Sequence, residues 1–490
     1  MKHLLFLVLC QSALIAGAEK ANFVVINIDD LGYADIGAFG SKINRTPHLD
    51  RMAKEGCRLT SFYAAPACSP SRAALMTGCY PKRVLPIPGV LFPAGAVGLN
   101  QESPTVAELL KTVGYATACV GKWHLGDQPP FLPTRRGFDY YLGIPYSNDM
   151  GPAEDGSKSD LGEKTPEPKL TNLTANDEFG LRGHSQPPLP LLENEKVIAR
   201  VRQDEQQGIV ERYTVAAVNF IKANRNKPFF LYLPHNAVHF PIYPGKKWAG
   251  RSPHGIYSDW VEEVDWSVGQ ILDTLRQLKL DKKTLVIFTS DNGGTPRGSN
   301  TPLRGFKGTT WEGGVRVPTL AWWPRKIPAG SACDAITGMF DILPTFAALA
   351  GAKLPEGKLD GANIWPLLAR EPDAKPPRET FYYYRGLKLE AVRHGPWKLR
   401  LASAAEPAKG AKGKKGKTPQ SNDQLYNLEA DIGETTDVAA AHPEIVRKLK
   451  TLADAMKEDL GLDGIGPGCR PPARVSNPQP LIPHDKPTAP

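Results

Sequence analysis

The chain has 490 residues, of which 41% are hydrophobic and 23% are charged, and its formal net charge is +9 at pH 7. A chain of this length can bury a large core and form two structural units, and its composition is typical of a soluble globular protein. Five lysines lie between residues 408 and 418, and without them and Lys2 the net charge falls to about +3. A balance this small argues against nucleic-acid binding as the main role.

Residues 1–18 have the pattern of a secretory signal peptide. Lys2 and His3 precede an apolar run that begins at Leu4, and the small residues that end at Ala18 offer a cleavage site. We therefore predict that the protein is secreted or periplasmic, with cleavage near Ala18. No later segment has about 18 uninterrupted apolar residues, so no membrane span is predicted.

Short apolar runs that end in polar residues predict strands buried on both faces of a parallel sheet. The runs lie at residues 23–28, 116–120, 228–233 and 284–288. Helical patterns lie between them, at residues 105–113, 210–223 and 257–277. This alternation predicts an α/β fold, with a large, mainly parallel sheet sandwiched by helices. Ligands bind at the carboxyl ends of the strands in such sheets, so the polar residues there are candidates for one site.

The pattern of predicted strands and helices changes near residue 376, which predicts a catalytic unit at 19–375 and a smaller unit at 376–465. Within the smaller unit, short strands and an amphipathic helix predict an antiparallel sheet packed with one helix. The strands are expected at residues 380–384, 391–393 and 397–401, and the helix at 443–460. The proline-rich tail at 466–490 is predicted to be extended or disordered.

Two further segments carry few signals of regular structure. Residues 404–419 surround the lysine-rich stretch and predict a flexible surface insertion, with a polyanion-binding arm as the alternative. Residues 149–195 are rich in proline, glycine and charge and are too long for an ordinary connection. We expect them to lie over the site as a specificity loop, with a disordered insertion as the alternative.

Cys68 opens the most informative stretch of the chain, Cys68-Ser69-Pro70-Ser71-Arg72, which Leu75-Met76-Thr77-Gly78 follows at a fixed offset. A lone cysteine before proline is typical of a structural residue at the start of a helix, where proline is tolerated in the first turn. The whole eleven-residue pattern is far more specific than that pair.

Four oxygen-bearing side chains follow two of the predicted strands. Asp29 and Asp30 follow the first strand, and Asp291 and Asn292 follow the fourth. Either pair alone is typical of a turn. Together they predict a site for a hard divalent cation, Ca²⁺ before Mg²⁺, because oxygen-only ligation disfavours zinc.

These motifs resemble those of the type I sulfatase family, within the alkaline-phosphatase-like superfamily, and the resemblance covers almost the whole mature chain. The resembling segments appear in the family's order: Asn27-Ile28-Asp29-Asp30-Leu31-Gly32, the Cys68 motif, Gly121-Lys122-Trp123-His124-Leu125-Gly126, Ile144-Pro145-Tyr146-Ser147-Asn148-Asp149, residues 303–314, and Leu425-Tyr426-Asn427-Leu428 with Gly433-Glu434. Asn148 departs from the family's pattern and leaves the role of Ser147 open.

The resemblance implies that a maturation enzyme converts Cys68 to formylglycine, whose hydrated diol attacks the sulfur. It also implies a metal held by Asp29, Asp30, Asp291, Asn292 and an oxygen of the modified Cys68. The other implied roles belong to side chains around the diol: Arg72 orients it, Lys122 and Lys307 hold the sulfate oxygens, His239 protonates the leaving alcohol, His124 takes a proton from the diol, and Ser147 adds a hydrogen bond. His235 is the rival to His239, which we prefer because His-Phe-Pro matches the family's His-x-Pro.

The resemblance therefore implies a calcium-dependent sulfatase that cleaves a sulfate monoester, with a sulfated carbohydrate as the preferred substrate class. A phosphomonoester or phosphonate hydrolase on the same scaffold is one alternative. An inactive carbohydrate-binding relative is another, although no catalytic position of the family is lost here.

Overall fold

The computed structural model describes residues 20–166, 176–402 and 422–484. The predicted signal peptide and the lysine-rich stretch lie outside the described residues. The strands are β1 (Asn22–Ile28), β2 (Cys57–Leu59), β3 (Phe62–Tyr63), β4 (Val97–Gly98), β5 (Ala116–Val120), β6 (Tyr140–Gly143), β7 (Pro190–Glu193), β8 (Lys196–Arg200), β9 (Phe229–Pro234), β10 (Thr284–Ser290), β11 (Thr319–Trp322), β12 (Ser331–Cys333), β13 (Thr337–Gly338), β14 (Thr380–Arg385), β15 (Lys388–His394), β16 (Trp397–Arg400), β17 (Gln424–Asn427) and β18 (Ala473–Arg474). The α-helices are α1 (Pro47–Glu55), α2 (Cys68–Thr77), α3 (Pro81–Val84), α4 (Val106–Lys111), α5 (Gln203–Ala223), α6 (Ile256–Gln277), α7 (Glu312–Val315), α8 (Ile342–Ala350), α9 (Trp365–Ala369) and α10 (Pro443–Ala455).

Ten strands form one large sheet in the order β12-β2-β11-β10-β1-β9-β5-β6-β7-β8. The five central strands, from β10 to β6, run parallel, whereas antiparallel neighbours extend the sheet on both sides. The four strands predicted from apolar runs are β1, β5, β9 and β10, and all four lie in this parallel centre. The prediction of a large mixed, mainly parallel sheet is confirmed.

Helices cover both faces of the sheet because alternate residues of each central strand point to opposite sides. Along β1, Val24 and Ile26 join the core beneath α1, α5 and α6, while Phe23 and Val25 join the core beneath α2, α4 and α8. Both cores are closed to solvent, and the carboxyl ends of the parallel strands open on one edge. This is the edge on which the sequence predicts the site.

The C-terminal unit is an antiparallel sheet in the order β14-β15-β16-β17, with α10 packed on β15 and β16. This agrees with the predicted sheet and helix, although α10 ends at Ala455, five residues before the predicted end. A short 3-10 helix at Met456–Glu458 continues the chain there. Apolar side chains of this sheet, among them Leu389 and Leu399, join the same core as α2 and α8.

Some segments carry more regular structure than the sequence pattern predicts. The range 149–195 includes β7, which pairs with β6 at the side of the large sheet. The described part of the tail contains turns and the short strand β18, which pairs with β4 of the first unit. Asn100 also donates a hydrogen bond of 2.6 Å to the carbonyl oxygen of Pro471. The tail is therefore attached to the catalytic unit through these contacts.

Among the described residues, no helix is both long and apolar enough to cross a membrane.

Candidate active site

Two neighbouring strands bring the four candidate metal ligands together. β1 and β10 are parallel neighbours whose last residues, Ile28 and Ser290, are paired in register. Asp29 and Asp30 therefore follow one strand at the point where Asp291 and Asn292 follow the next, although some 260 residues separate them along the chain. All four side chains are buried. Asp30 adopts a left-handed backbone with φ of 62°, a conformation that strains a residue other than glycine.

The helix α2 places Cys68 and Arg72 against these carboxylates. Cys68 is the first residue of α2, and its sulfur lies with one carboxylate oxygen each of Asp29 and Asp291 in a group whose members are within 4.8 Å of one another. One turn later, Arg72 donates from Nε and Nη2 to Oδ2 of Asp291, at 2.9 and 2.7 Å. Its Nη1 donates to the carbonyl oxygen of Lys122 at 2.5 Å. Arg72 thus joins α2 to the ends of β10 and β5.

Two lysines bring positive charge to the carboxylate pair. The ammonium of Lys122, which follows β5, forms an ion pair with Asp29 and donates to Oγ of Ser147 at 3.0 Å. The ammonium of Lys307 lies 2.6 Å from Oδ1 of Asp30. Burial disfavours the charged form of Asp29, but the ammonium of Lys122 outweighs this effect and holds the pKa of Asp29 well below its usual range. Burial and the neighbouring charge of Asp29 raise the pKa of Asp291.

The structure brings His239 into the site and leaves His235 outside it. Nδ1 of His239 lies 2.5 Å from the carbonyl oxygen of Phe240, which can only accept, so Nδ1 carries a proton. Nε2 then faces the site, 3.7 Å from Oδ2 of Asp30. His235 is hydrogen-bonded instead to Ser267 of α6 at 3.1 Å, and burial lowers its pKa to about 3.

His124 is fully buried with one ring nitrogen unused. Its Nε2 lies 2.9 Å from the carbonyl oxygen of Leu91, so this nitrogen is the donor. Its Nδ1 has no hydrogen-bond partner among the described residues. Burial first, and then the charges of Lys122 and Arg72, hold the pKa of His124 well below its usual value. His124 is therefore neutral near pH 7 and presents Nδ1 as a base.

The side chains at the two strand ends fit a hard divalent cation. Asn292 donates from its amide nitrogen to Oδ1 of Asp30 at 2.7 Å, which leaves its own Oδ1 without a hydrogen bond. Oδ1 of Asp29 is likewise buried without a hydrogen-bond partner among the described residues. Buried oxygens are rarely left unpartnered, so these two atoms indicate a ligand that they would bind.

Asn148 is a residue whose role the sequence left open. Its amide nitrogen donates to the carbonyl oxygens of His239 and Pro241, at 3.3 and 3.2 Å. The neighbouring Ser147 lies 3.4 Å from Nδ1 of His239. The segment therefore holds the backbone at His239 and just after it. The amide group of an asparagine has two N–H donors and can therefore bind two carbonyl oxygens in this way. The departure from the family's pattern at Asn148 does not by itself indicate this role.

The C-terminal unit contacts the loop that carries Lys307 through buried polar side chains, and the sequence gives no direct signal of this contact. Lys398 of β16 is fully buried, and its ammonium donates to the carbonyl oxygen of Thr310 at 2.8 Å and to Glu312 at 2.9 Å. It also lies 2.8 Å from Glu434. Glu434 in turn accepts the backbone N–H of Glu312 at 2.8 Å. A buried lysine needs partners of this kind, because its charge is otherwise uncompensated.

Comparison with known proteins agrees with this geometry. Residues 21–352 match the family described as Sulfatase, and residues 376–463 match the C-terminal region of aryl-sulfatase. Human arylsulfatase A is 39% identical over 473 residues, which cover 91% of this chain and 89% of that protein. Mouse N-acetylgalactosamine-6-sulfatase is 36% identical over 423 residues, which cover 82% of this chain and 76% of that protein.

Solved structures show the same likeness. The structure of Ps i-CgsB in complex with k-i-k-neocarrahexaose superimposes with a TM-score of 0.72 at 32% sequence identity, covering 89% of this chain and 92% of that one. The PsFucS1 sulfatase from Pseudoalteromonas sp. superimposes with a TM-score of 0.76 at 28% identity, covering 90% of this chain and 91% of that one.

Proposed function

The chain belongs to the sulfatase family and is a sulfuric ester hydrolase, and from this premise we propose that it hydrolyses a sulfate monoester of a carbohydrate after Cys68 has been converted to formylglycine. The observation that carries the proposal is the position of Cys68. It is buried at the first turn of α2, near two carboxylates and two ammonium groups, and the ammonium groups can balance the charge of a small anion. Formylglycine would supply there a geminal-diol oxygen as the nucleophile.

Asp29, Asp30, Asp291 and Asn292, with an oxygen of the modified Cys68, would hold the metal, and Ca²⁺ suits this all-oxygen set better than Mg²⁺. A divalent cation supplies Lewis-acid stabilisation of negative charge on sulfate oxygens. Arg72 contributes by fixing the carboxylate of Asp291 through two hydrogen bonds, so that this ligand is already oriented.

Lys122 and Lys307 are placed to bind the sulfate oxygens of the substrate. Both ammonium groups are held in position by carboxylates, Lys122 by Asp29 and Lys307 by Asp30. Charge spreads over the sulfate oxygens during transfer, and fixed positive groups in a buried site stabilise it without further reorganisation. The amino end of α2 adds a partial positive charge on the same side.

The two histidines are suited to opposite proton transfers. Since Nδ1 of His239 donates to Phe240, its Nε2 can carry a second proton and give it to the leaving alcohol. His124 has its Nε2 committed to Leu91, so its unpartnered Nδ1 can take a proton from the nucleophile's hydroxyl group. Separate acid and base groups allow both bond cleavages to proceed near neutral pH.

The substrate class is supported by the relatives. The similar mouse enzyme is named for a sulfated amino sugar, and the similar solved structure contains a neocarrahexaose. The signal-peptide pattern at residues 1–18 further supports a secreted or periplasmic enzyme that meets extracellular sulfated polysaccharides.

The test is turnover of protein that has been co-expressed with a formylglycine-generating enzyme. We expect this protein to release sulfate from sulfated mono- and oligosaccharides, and the Cys68→Ala variant to be folded and inactive. Cys57→Ala is the matched control, because Cys57 is also a buried cysteine but lies on β2, outside the site. Folded C68A protein with near wild-type turnover would refute the assignment of the nucleophile.

A further inference from the structure

The entrance to the site lies beside His239 and Lys307. Their side chains keep 11% and 21% of their surface exposed, whereas those of Asp29, Arg72 and Lys122 are fully buried. A substrate therefore reaches the sulfate-binding groups past these two residues. Because His239 faces the leaving alcohol in the proposed reaction, the rest of the substrate lies on the side of His239.

An arginine stands at this side of the entrance. The guanidinium carbon of Arg297 lies 5.2 Å from the centre of the ring of Phe240, the residue that follows His239. Arg297 belongs to the loop that follows Asp291 and Asn292, and Gly294 of this loop accepts the backbone N–H of Lys307 at 3.1 Å. One loop thus connects the metal ligands, the sulfate-binding lysine and this arginine.

Arg297 is anchored at one end of its guanidinium group and is otherwise partly exposed to solvent. Its Nη1 forms an ion pair with Asp160, whose side chain is only 2% exposed. Asp160 also accepts the backbone N–H of Ile242 at 2.8 Å, so it anchors both Arg297 and the segment after His239. The side chain of Arg297 is nevertheless 42% exposed, and the other two guanidinium nitrogens donate to no acceptor within the described part of the chain.

We propose that Arg297, supported by Phe240 and Asp160, is a subsite for a second sulfate group on the sugar that carries the scissile ester. A guanidinium fixed at one end presents a planar pair of N–H groups that matches the oxygens of sulfate. Packing on an aromatic ring and tethering to a buried carboxylate reduce the entropy lost when it binds. The inference rests on the proposed function, because it takes the leaving sugar to lie beside His239.

The test compares amino sugars that carry one sulfate group with amino sugars that carry two, as competitors of 4-nitrophenyl sulfate hydrolysis. The pairs are N-acetylglucosamine 6-sulfate with glucosamine 2-N,6-O-disulfate, and N-acetylgalactosamine 6-sulfate with N-acetylgalactosamine 4,6-disulfate. For the matured wild-type enzyme, we expect the disulfated member of at least one pair to have an inhibition constant about tenfold lower. Arg297→Gln should reduce this advantage to about twofold or less. Arg297→Lys, which keeps the charge but loses the planar fork, should fall between them.

Arg51→Gln is the matched control, because Arg51 is a comparably exposed arginine that lies on α1, outside the entrance, and pairs with Asp273 at 2.8 Å. It should keep the wild-type ratio of inhibition constants. The subsite is overturned if neither disulfated sugar is favoured by the wild type, or if R297Q keeps the full preference. If R297Q does not fold, R297K tests the subsite through its own ratio, and an undiminished preference in that variant overturns it. Absence of hydrolysis of both 4-nitrophenyl sulfate and the sugar sulfates by matured wild type would count against the proposed function instead.

Discussion

Lys398 offers a direct test of how the C-terminal unit supports the active-site loop. In the folded protein its ammonium contacts the carbonyl oxygen of Thr310 and the carboxylates of Glu312 and Glu434. Neither the ammonium nor the two carboxylates are exposed to solvent. Replacing it with methionine leaves two buried carboxylates without their shared cation. Breaking a buried ion pair in this way costs about 3–5 kcal/mol. We therefore expect K398M to lower the free energy of unfolding by about that amount.

The assay is urea unfolding followed by tryptophan fluorescence, with Glu434→Gln combined in a double variant. K398M with E434Q removes one charge of each sign, so it should be more stable than K398M alone by about 2 kcal/mol. Lys247→Met is the surface control, because the pair between Lys247 and Glu211 is exposed and should contribute less than about 1 kcal/mol. The reasoning is refuted if K398M unfolds within about 1 kcal/mol of the wild type, or if E434Q adds its full cost to that of K398M.

Three further predictions concern the metal, the acid and a buried carboxyl group. Dialysis against EGTA should abolish sulfate ester hydrolysis, and Ca²⁺ should restore it better than Mg²⁺; equal recovery with both ions would contradict the assignment of calcium. His239→Gln should slow hydrolysis of a sugar sulfate by about 10²–10⁴ but that of 4-nitrophenyl sulfate much less, because nitrophenolate needs little protonation to leave. His235→Gln should show no such difference between the two substrates, since His235 contacts Ser267 instead of the site. Burial raises the pKa of Glu263 from 4.5 to about 8. Between these two pH values the folded protein keeps a proton on Glu263 that the unfolded chain has lost. The free energy of unfolding should therefore fall by roughly 1.4 kcal/mol per pH unit in this range. Glu263→Gln should therefore lose much less stability than the wild type between pH 6 and pH 9 in urea unfolding, and parallel losses would show that Glu263 does not titrate there.

The parallel centre of the sheet could be predicted because its strands are short, continuous apolar runs. Burial on both faces imposes that pattern, and the polar residues that follow it mark the carboxyl ends of the strands. The strand order could not be predicted, because β1 and β10 pair across some 260 residues and nothing local encodes their adjacency. The site depends on this pairing, since it alone brings Asp29 next to Asp291.

The edges of the sheet escaped prediction for a different reason. β2 and β12 have three residues each, too few to show a periodic pattern, and they are held by β11 and by one another. β7 lies within a stretch rich in proline and glycine, where the composition indicates a loop. Tertiary pairing overrides the weak local preference in each case.

Arg297 and Lys398 show the limit of motif-based reasoning about the site. Neither belongs to a pattern of chemically suggestive neighbours, and an arginine in a Gly-rich loop is ordinary in sequence. Their interest comes from what lies around them: Phe240 and Asp160 for the first, Glu312 and Glu434 for the second. By contrast, the choice of His239 over His235 rested on one proline, and the contacts of the two rings agree with it.

The most direct measurement of the central claim is the mass of the peptide that carries Cys68, taken alongside specific activity. Conversion of cysteine to formylglycine makes this peptide about 18 Da lighter. In preparations with different levels of maturation enzyme, we predict that sulfate ester hydrolysis rises in proportion to the converted fraction and is absent when conversion is absent. Full activity in protein whose Cys68 is unmodified would contradict the account.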